Sequence, residues 1–209
     1  MLHFETVEPG TLSILERLMH LSELENFCLV GGTALSLKYG HRISIDLDLF
    51  GSVVEFNKEI ILQSLEKEFG NTFVYEGGSA KWAIFCFIEN IKIDIIKYSH
   101  PIIKSTELIN GIRFYSNEDI SAMKINAILG RGKKKDFWDL YELLHHFTLS
   151  EIIDFHREKF PNQMLLISIP QAITYFADAD ESEDPVSLRG QTWDEIKNFI
   201  QKKVKDYLI

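Results

Sequence analysis

Two aspartates separated by a single leucine, Asp46 and Asp48, interrupt the otherwise apolar run from Ile45 to Phe50. In a strand, side chains two positions apart lie on one face. The expectation is a strand over residues 43–50 in which both acids project together while Ile45, Leu47 and Leu49 enter the core. Their Cα atoms then stand roughly 6–7 Å apart, close enough for both carboxylates to converge on one small ion. Bare neighbouring carboxylates raise each other's pKa unless a cation lies between them. A hard, oxygen-seeking ion such as Mg²⁺ suits that donor set. The competing reading is a solvated strand edge, or acids paired with Arg42 or a lysine.

Three further features carry chemistry. Gly31 and Gly32 precede a helical stretch, and glycine lets a phosphate approach backbone N–H groups at a helix N-terminus; the same pair also serves as a plain strand-to-helix turn. Asp94 lies inside the apolar run IKIDII, where an acid is costly without a partner; a salt bridge to Lys92 or Lys97 is the alternative. Lys124 falls four residues after Ile120 and four before Ile128, on the apolar side of its helix. It either meets an anion there or snorkels at the edge of that face.

The elements that must position these groups follow from periodicity. Residues 11–24 read as an amphipathic helix and 27–30 as a short buried strand. Thr33 suits the cap of a helix running to Tyr39 and stopped by Gly40. Residues 56–69 read as a helix with Ile60, Ile61 and Leu65 inward, and 72–75 as a strand. Glu89-Asn90 separates two apolar runs, 82–88 and 91–98, as the loop of a tight hairpin. Ser116 and Asp119 form a capping-box pair opening a helix to about Leu129. A basic loop leads to a helix over 136–147, where Asp136 suits the dipole of the first turn, and Thr192 with Glu195 caps the last helix. This is an α+β pattern: a mixed sheet over residues 1–115 and a helical region over 116–209.

The stretch GGTALSLKYGHRISIDLDLF (31–50), followed by EDISAMKINAILGRGKKKDFWDL (118–140), resembles the AbiEii/AbiGii-type nucleotidyltransferase toxins of bacterial toxin–antitoxin and abortive-infection systems. The resemblance spans about 27–144, with four separated motifs in order. It implies a nucleotidyltransferase-like mixed β-sheet flanked by helices, with Gly31, Gly32 and Thr33 against the nucleotide phosphates. It further implies Asp46 and Asp48 as ligands of a divalent metal (Mg²⁺ or Mn²⁺) and Asp94 as the third carboxylate. Lys124 would touch the triphosphate, Asp136 would be the first acid of the last motif, and Asp139 a second acid there. Arg42 and Ser44 fit the family's Arg-x-Ser-x-Asp pattern, with Arg42 facing either phosphate or the acids. The implied activity is NMP transfer from an NTP to an acceptor such as the 3′ end of a tRNA, with a separate antitoxin protein as partner. The rival is a catalytically silent scaffold binding a nucleotide or a partner.

Bulk properties agree with a protein of this kind. The 209 residues are 45% hydrophobic and 25% charged, ordinary for a globular chain. No apolar run is long enough to span a membrane, and the first ten residues lack a basic-then-apolar leader, so a cytoplasmic location is expected. A net charge of −9 argues against a uniformly nucleic-acid-binding surface, but Arg131, Lys133, Lys134 and Lys135 form a local basic run. Cys28 and Cys86 read as buried thiols, His145, His146 and His156 as helix-surface histidines, and Trp82, Trp138 and Trp193 as packing residues. The acidic run from Asp178 to Asp184 reads as a solvated linker.

Overall fold

The computed structural model describes residues 1–52 and 55–209. The described residues build one mixed seven-stranded sheet of order β3-β4-β5-β2-β1-β7-β6. The strands are β1 (Cys28–Val30), β2 (Leu47–Gly51), β3 (Phe73–Val74), β4 (Ala83–Ile88), β5 (Ile91–Lys97), β6 (Glu107–Ile109) and β7 (Ile112–Phe114). The helices are α1 (Pro9–His20), α2 (Gly31–Tyr39), α3 (Lys58–Phe69), α4 (Asn117–Gly130), α5 (Lys134–His146), α6 (Leu149–Lys159), α7 (Ile169–Ile173), α8 (Ala177–Asp180) and α9 (Trp193–Leu208). The expected α+β class, a mixed sheet flanked by helices with helices closing the chain, is the one observed.

Local chemistry sets most boundaries. Gly40 ends α2 in the left-handed region at φ 67°, where other residues are disfavoured. Glu89 and Asn90 both adopt positive φ, the demand of a two-residue hairpin loop, and join β4 to β5 in antiparallel register. Thr192 and Glu195 form the reciprocal capping box of α9. The core runs under the sheet through Leu29, Leu47, Leu49, Ile93 and Ile95, all fully buried, and continues through α4 and α5 by way of Ile120, Ile125, Phe137 and Leu140.

Several expectations are corrected by partners distant in sequence. Regular strand pairing begins at Leu47, not residue 43, because the preceding segment bonds elsewhere: Ile43 N–H donates to Val186 O (2.9 Å) and Ser44 N–H to Thr6 O (3.0 Å). Ile45 accordingly turns outward, half exposed, and Asp46 lies just ahead of the strand. Thr33 does not cap α2, whose cap position is Val30. Ser116 does cap α4, but the Asp119 carboxylate accepts from Ile103 N–H, Lys104 N–H and Lys159 Nζ, which completes a buried ion pair instead of a reciprocal box. Ile60 and Trp82 are exposed. His156 is buried among apolar side chains, not on a helix surface, and that burial pushes its imidazole down to about 4.

Candidate active site

The sheet order brings the acids together. β2 runs parallel to β5 with Asp48 directly opposite Asp94, and antiparallel to β1 with Asp48 opposite Val30, the residue before Gly31. Parallel neighbours lie about 4.8 Å apart, so two carboxylates share one face at the mouth of a cleft of about 380 Å³. The Asp48 carboxyl is pushed above the usual carboxylate range, first by burial and then by the Asp94 charge. Asp94 accepts from Lys92 Nζ through Oδ2 at 2.5 Å, while its buried Oδ1 has no hydrogen-bond partner among the described residues. Asp46 lines the same cleft, half exposed, with Lys135 Nζ at 3.4 Å.

The glycine pair has a steric cause visible at both positions. Gly31 adopts φ +73°, and a β-carbon there would collide with the Asp48 carboxylate. A β-carbon on Gly32 would strike the Arg42 guanidinium. The backbone at the start of α2 is thus pressed against both charged groups, and its N-terminal end faces the cleft. Thr33, fully buried, stands behind this wall: its hydroxyl donates to Ser44 Oγ (2.9 Å) and meets the Asp46 carbonyl, holding the segment that carries Asp46.

A second cluster backs the cleft on the helical side. Asp139, fully buried on α5, accepts from Arg42 Nε (2.7 Å) and Nη2 (2.9 Å), lies 2.8 Å from His41 Nε2 and 2.6 Å from Lys124 Nζ. Asp136, one turn earlier, meets Lys124 Nζ (3.2 Å), Arg131 Nε and Arg131 Nη2 (both 3.0 Å). Burial opposes both carboxylates, but Arg42 and Lys124 hold Asp139 well below its ordinary value, and Lys124 and Arg131 hold Asp136 below it. Lys124 itself is buried, and the same two acids outweigh that burial and keep its charge.

Of the residues singled out from sequence, Gly31, Gly32, Arg42, Ser44, Asp46, Asp48, Asp94 and Lys124 line one cleft. Thr33, Asp136 and Asp139 are buried behind it. Arg42 pairs with an acid, but with Asp139 in place of the neighbouring Asp46 or Asp48. Sequence reasoning missed His41 and the segment 186–189. Leu188 N–H donates to His41 O (3.0 Å) and Arg189 pairs with Glu142 (2.8 Å), so a stretch near the C-terminus straps the Arg42 segment down. The adjacency of His41 to Arg42 was its one local signal; the strap has none.

Three carboxylates at the mouth, one with a buried oxygen unpartnered among the described residues and one with its pKa raised by burial and then by its neighbour, fit a divalent, oxygen-preferring cation. As they stand, no group of three or more His, Cys, Asp or Glu side chains among the described residues is gathered closely enough to hold a metal ion by itself. The described donor set is open, with room for a ligand that brings oxygens of its own.

Comparison with known proteins agrees across the chain. The family model described as nucleotidyl transferase AbiEii toxin, Type IV TA system, matches residues 13–81 and 85–203, so the match reaches well beyond the motifs near residue 140. An uncharacterized protein of Aquifex aeolicus is 34% identical over 201 residues, covering 93% of this chain and 94% of that one. A solved structure described as a putative nucleotidyltransferase from Helicobacter pylori aligns with a TM-score of 0.57 at 20% identity, over 95% of this chain and 94% of that one. MenT4, a nucleotidyltransferase toxin of Mycobacterium tuberculosis, aligns with a TM-score of 0.59 at 15% identity, over 93% and 82%. At those identities the two structures speak for a shared fold.

Proposed function

The chain belongs to the AbiEii nucleotidyl transferase toxin family, and we propose that it moves an NMP from an NTP to an acceptor hydroxyl with a divalent metal, Mg²⁺ or Mn²⁺. The observation that carries this reading is the register of Asp48 against Asp94 on adjacent parallel strands, with Asp94 Oδ1 buried beside the cleft and unpartnered among the described residues. Asp46, Asp48 and Asp94 would hold the metal, which when bound supplies Lewis-acid stabilisation of the charge developing on the transferred phosphoryl.

The chain's own groups do the rest. The backbone at Gly31 and Gly32, at the positive end of α2, receives phosphate oxygens without side-chain obstruction. Arg42 and Lys124, fixed in place by Asp139 and Asp136, add positive charge to the same wall. Asp94 Oδ1 is free to accept the proton of the acceptor hydroxyl as the new O–P bond forms. The α–β phosphoanhydride bond then breaks, and pyrophosphate leaves with its electron pair. Residues 1–115 would then carry the three metal-facing carboxylates and Arg42, and residues 116–209 Lys124 with the two aspartates that fix both cations.

The family supports a toxin with a cognate antitoxin, and we take a tRNA 3′ end as the acceptor. We place the protein in the cytoplasm; among the described residues no helix is long and apolar enough to cross a membrane. Incubation with Mg²⁺, each labelled NTP and total cellular RNA or protein tests the reading. Label should pass to an acceptor with the wild-type chain and fall to background with Asp48→Ala. NTP binding with no transfer to any acceptor, and no growth defect on expression, would leave the silent-scaffold reading standing instead.

A further inference from the structure

β4 has the sequence AIFCFI, apolar on both of its faces. Ile84, Cys86 and Ile88 are buried, which leaves Phe85 and Phe87 on the opposite face, 46% and 42% exposed. A solvent-facing side of an antiparallel strand ordinarily carries polar residues. Trp82, 54% exposed, packs edge-on against Phe85 with ring centroids 6.3 Å apart. Scattered exposed apolar residues are normal, but two exposed phenylalanines on one sheet face, with a tryptophan from just before the strand packed against one of them, call for an occupant.

Register places this patch beside the chemistry. Phe85 lies directly opposite Asp94, and Asp94 directly opposite Asp48. The three side chains therefore form one cross-strand row, and Phe85 stands one strand spacing, roughly 5 Å, from the proposed proton acceptor. That is the reach from a nucleoside's sugar to its base.

The two exits from the cleft differ in charge. One continues through Asp46 and Lys135 into a groove where Lys133 and Lys135 are faced by Glu181, Glu183 and Asp184, the last already paired with Lys134, so its lysines are offset by acids and offer a phosphodiester chain little net attraction. The other continues through Phe50 and Tyr98 to a shallow surface holding Lys81 and Trp82. Aromatic rings alternating with lysines suit a single strand of nucleic acid, because every base has a π-face and every phosphate a charge.

We propose that Phe85, with Trp82 beside it, is a stacking platform for the terminal base of a single-stranded nucleic-acid acceptor. The end nucleotide lies on the sheet with its base on Phe85 and its hydroxyl at Asp94. The proposal rests on the active-site reading above for the role of Asp94, and its test is arranged so that the two fail separately.

The test measures binding of a fluorescently labelled, short single-stranded ribo-oligonucleotide of mixed sequence to the full chain by anisotropy, and binding of a non-hydrolysable NTP by calorimetry. Because Phe85 is a surface residue, Phe85→Ala should fold. It should weaken oligonucleotide binding about tenfold, the size of one lost stacking contact, with NTP affinity unchanged. Phe85→Trp should restore binding, and Leu108→Ala, an exposed apolar change on β6, should have no effect. Equal oligonucleotide affinity in wild type and Phe85→Ala overturns the platform, as does a wild type that binds no oligonucleotide or labels only polypeptide. Phe85-dependent binding in a chain that transfers no nucleotide upholds the platform and overturns the active-site reading.

Discussion

Two pairs of aspartates face the same cleft region in opposite electrostatic conditions. Asp136 and Asp139, one helical turn apart on α5, are surrounded by Arg42, Lys124, Arg131 and His41, and both carboxyls are held below their ordinary range. Asp48 and Asp94, on adjacent strands, have among the described residues a single ion pair, Lys92 with Asp94, and Asp48 is pushed upward, first by burial and then by Asp94. The residue types are identical, so the difference lies in what the fold supplies around them. A pair that is already neutralised fixes structure. A pair left in mutual repulsion keeps its free energy for a ligand that arrives later.

Removing a member of the neutralised pair should therefore give the largest effect on stability. Asp139→Ala leaves Arg42 and Lys124 buried without their shared counter-charge, and breaking such a pair typically costs about 3–5 kcal/mol. Urea denaturation at neutral pH should report that loss. The pH dependence has a definite sign. Because both carboxyls are lowered in the folded state, the unfolded chain takes up protons first on acidification. The stability they contribute is present above the ordinary carboxylate pKa of about 3.9 and is lost as pH falls below it through the folded values. In Asp139→Ala that acid limb should be shallower. A loss under about 1 kcal/mol with an unchanged limb would mean that the cluster is no clamp.

The repelling pair should behave in the opposite way. Asp48→Asn is expected to lower nucleotidyl transfer by about 10²–10³-fold, the usual result of removing a group that stabilises transition-state charge. Stability should stay level or rise. The raised Asp48 carboxyl makes its ionisation costly to the fold as pH rises through the window above the ordinary carboxylate value. A cation between the acids offsets that cost, so Mg²⁺ should raise the melting temperature of the wild type and leave that of Asp48→Asn unmoved. A variant destabilised by about 2 kcal/mol, with a wild type indifferent to Mg²⁺, would collapse the contrast between the pairs.

What could be read from the sequence follows the same division. Asp46-Leu47-Asp48, Asp94 and Lys124 stood out because each is a charge in an apolar periodic run, and the hairpin at Glu89-Asn90 is signalled by its loop residues. These are local facts. That Asp94 would fall opposite Asp48 depends on strand order, which periodicity does not encode. The outward turn of Ile45 and the late start of β2 depend on Thr6 and Val186, 38 and more residues away in the chain. Thr33 was legible as a residue with a task, but its acceptor is the Asp46 carbonyl and not the helix end. The role of Asp139 as the centre of a cation cluster required Arg42 and His41 to approach from 97 and 98 residues distant.

The smallest effect belongs to the contact that lies nearest the boundary between the two pairs. Lys135 Nζ stands 3.4 Å from Asp46 Oδ2, both side chains about 40% exposed. An exposed pair of that kind contributes about 0–1 kcal/mol and is screened by salt, so Lys135→Ala should move the urea midpoint very little. Its consequence for the cleft is more specific. With Lys135 present, Asp46 is partly occupied by a cation of the protein's own, and that ammonium competes with a metal for the same oxygen. Lys135→Ala should therefore tighten Mg²⁺ binding several-fold, read as the concentration that half-saturates the melting-temperature shift, and more so at low ionic strength. Since the same lysine also adds positive charge where a triphosphate would sit, the KM for NTP should rise in that variant while Mg²⁺ affinity improves. Opposite movements of the two constants would assign Asp46 to the repelling pair; an unchanged Mg²⁺ half-saturation would leave only Asp48 and Asp94 in it.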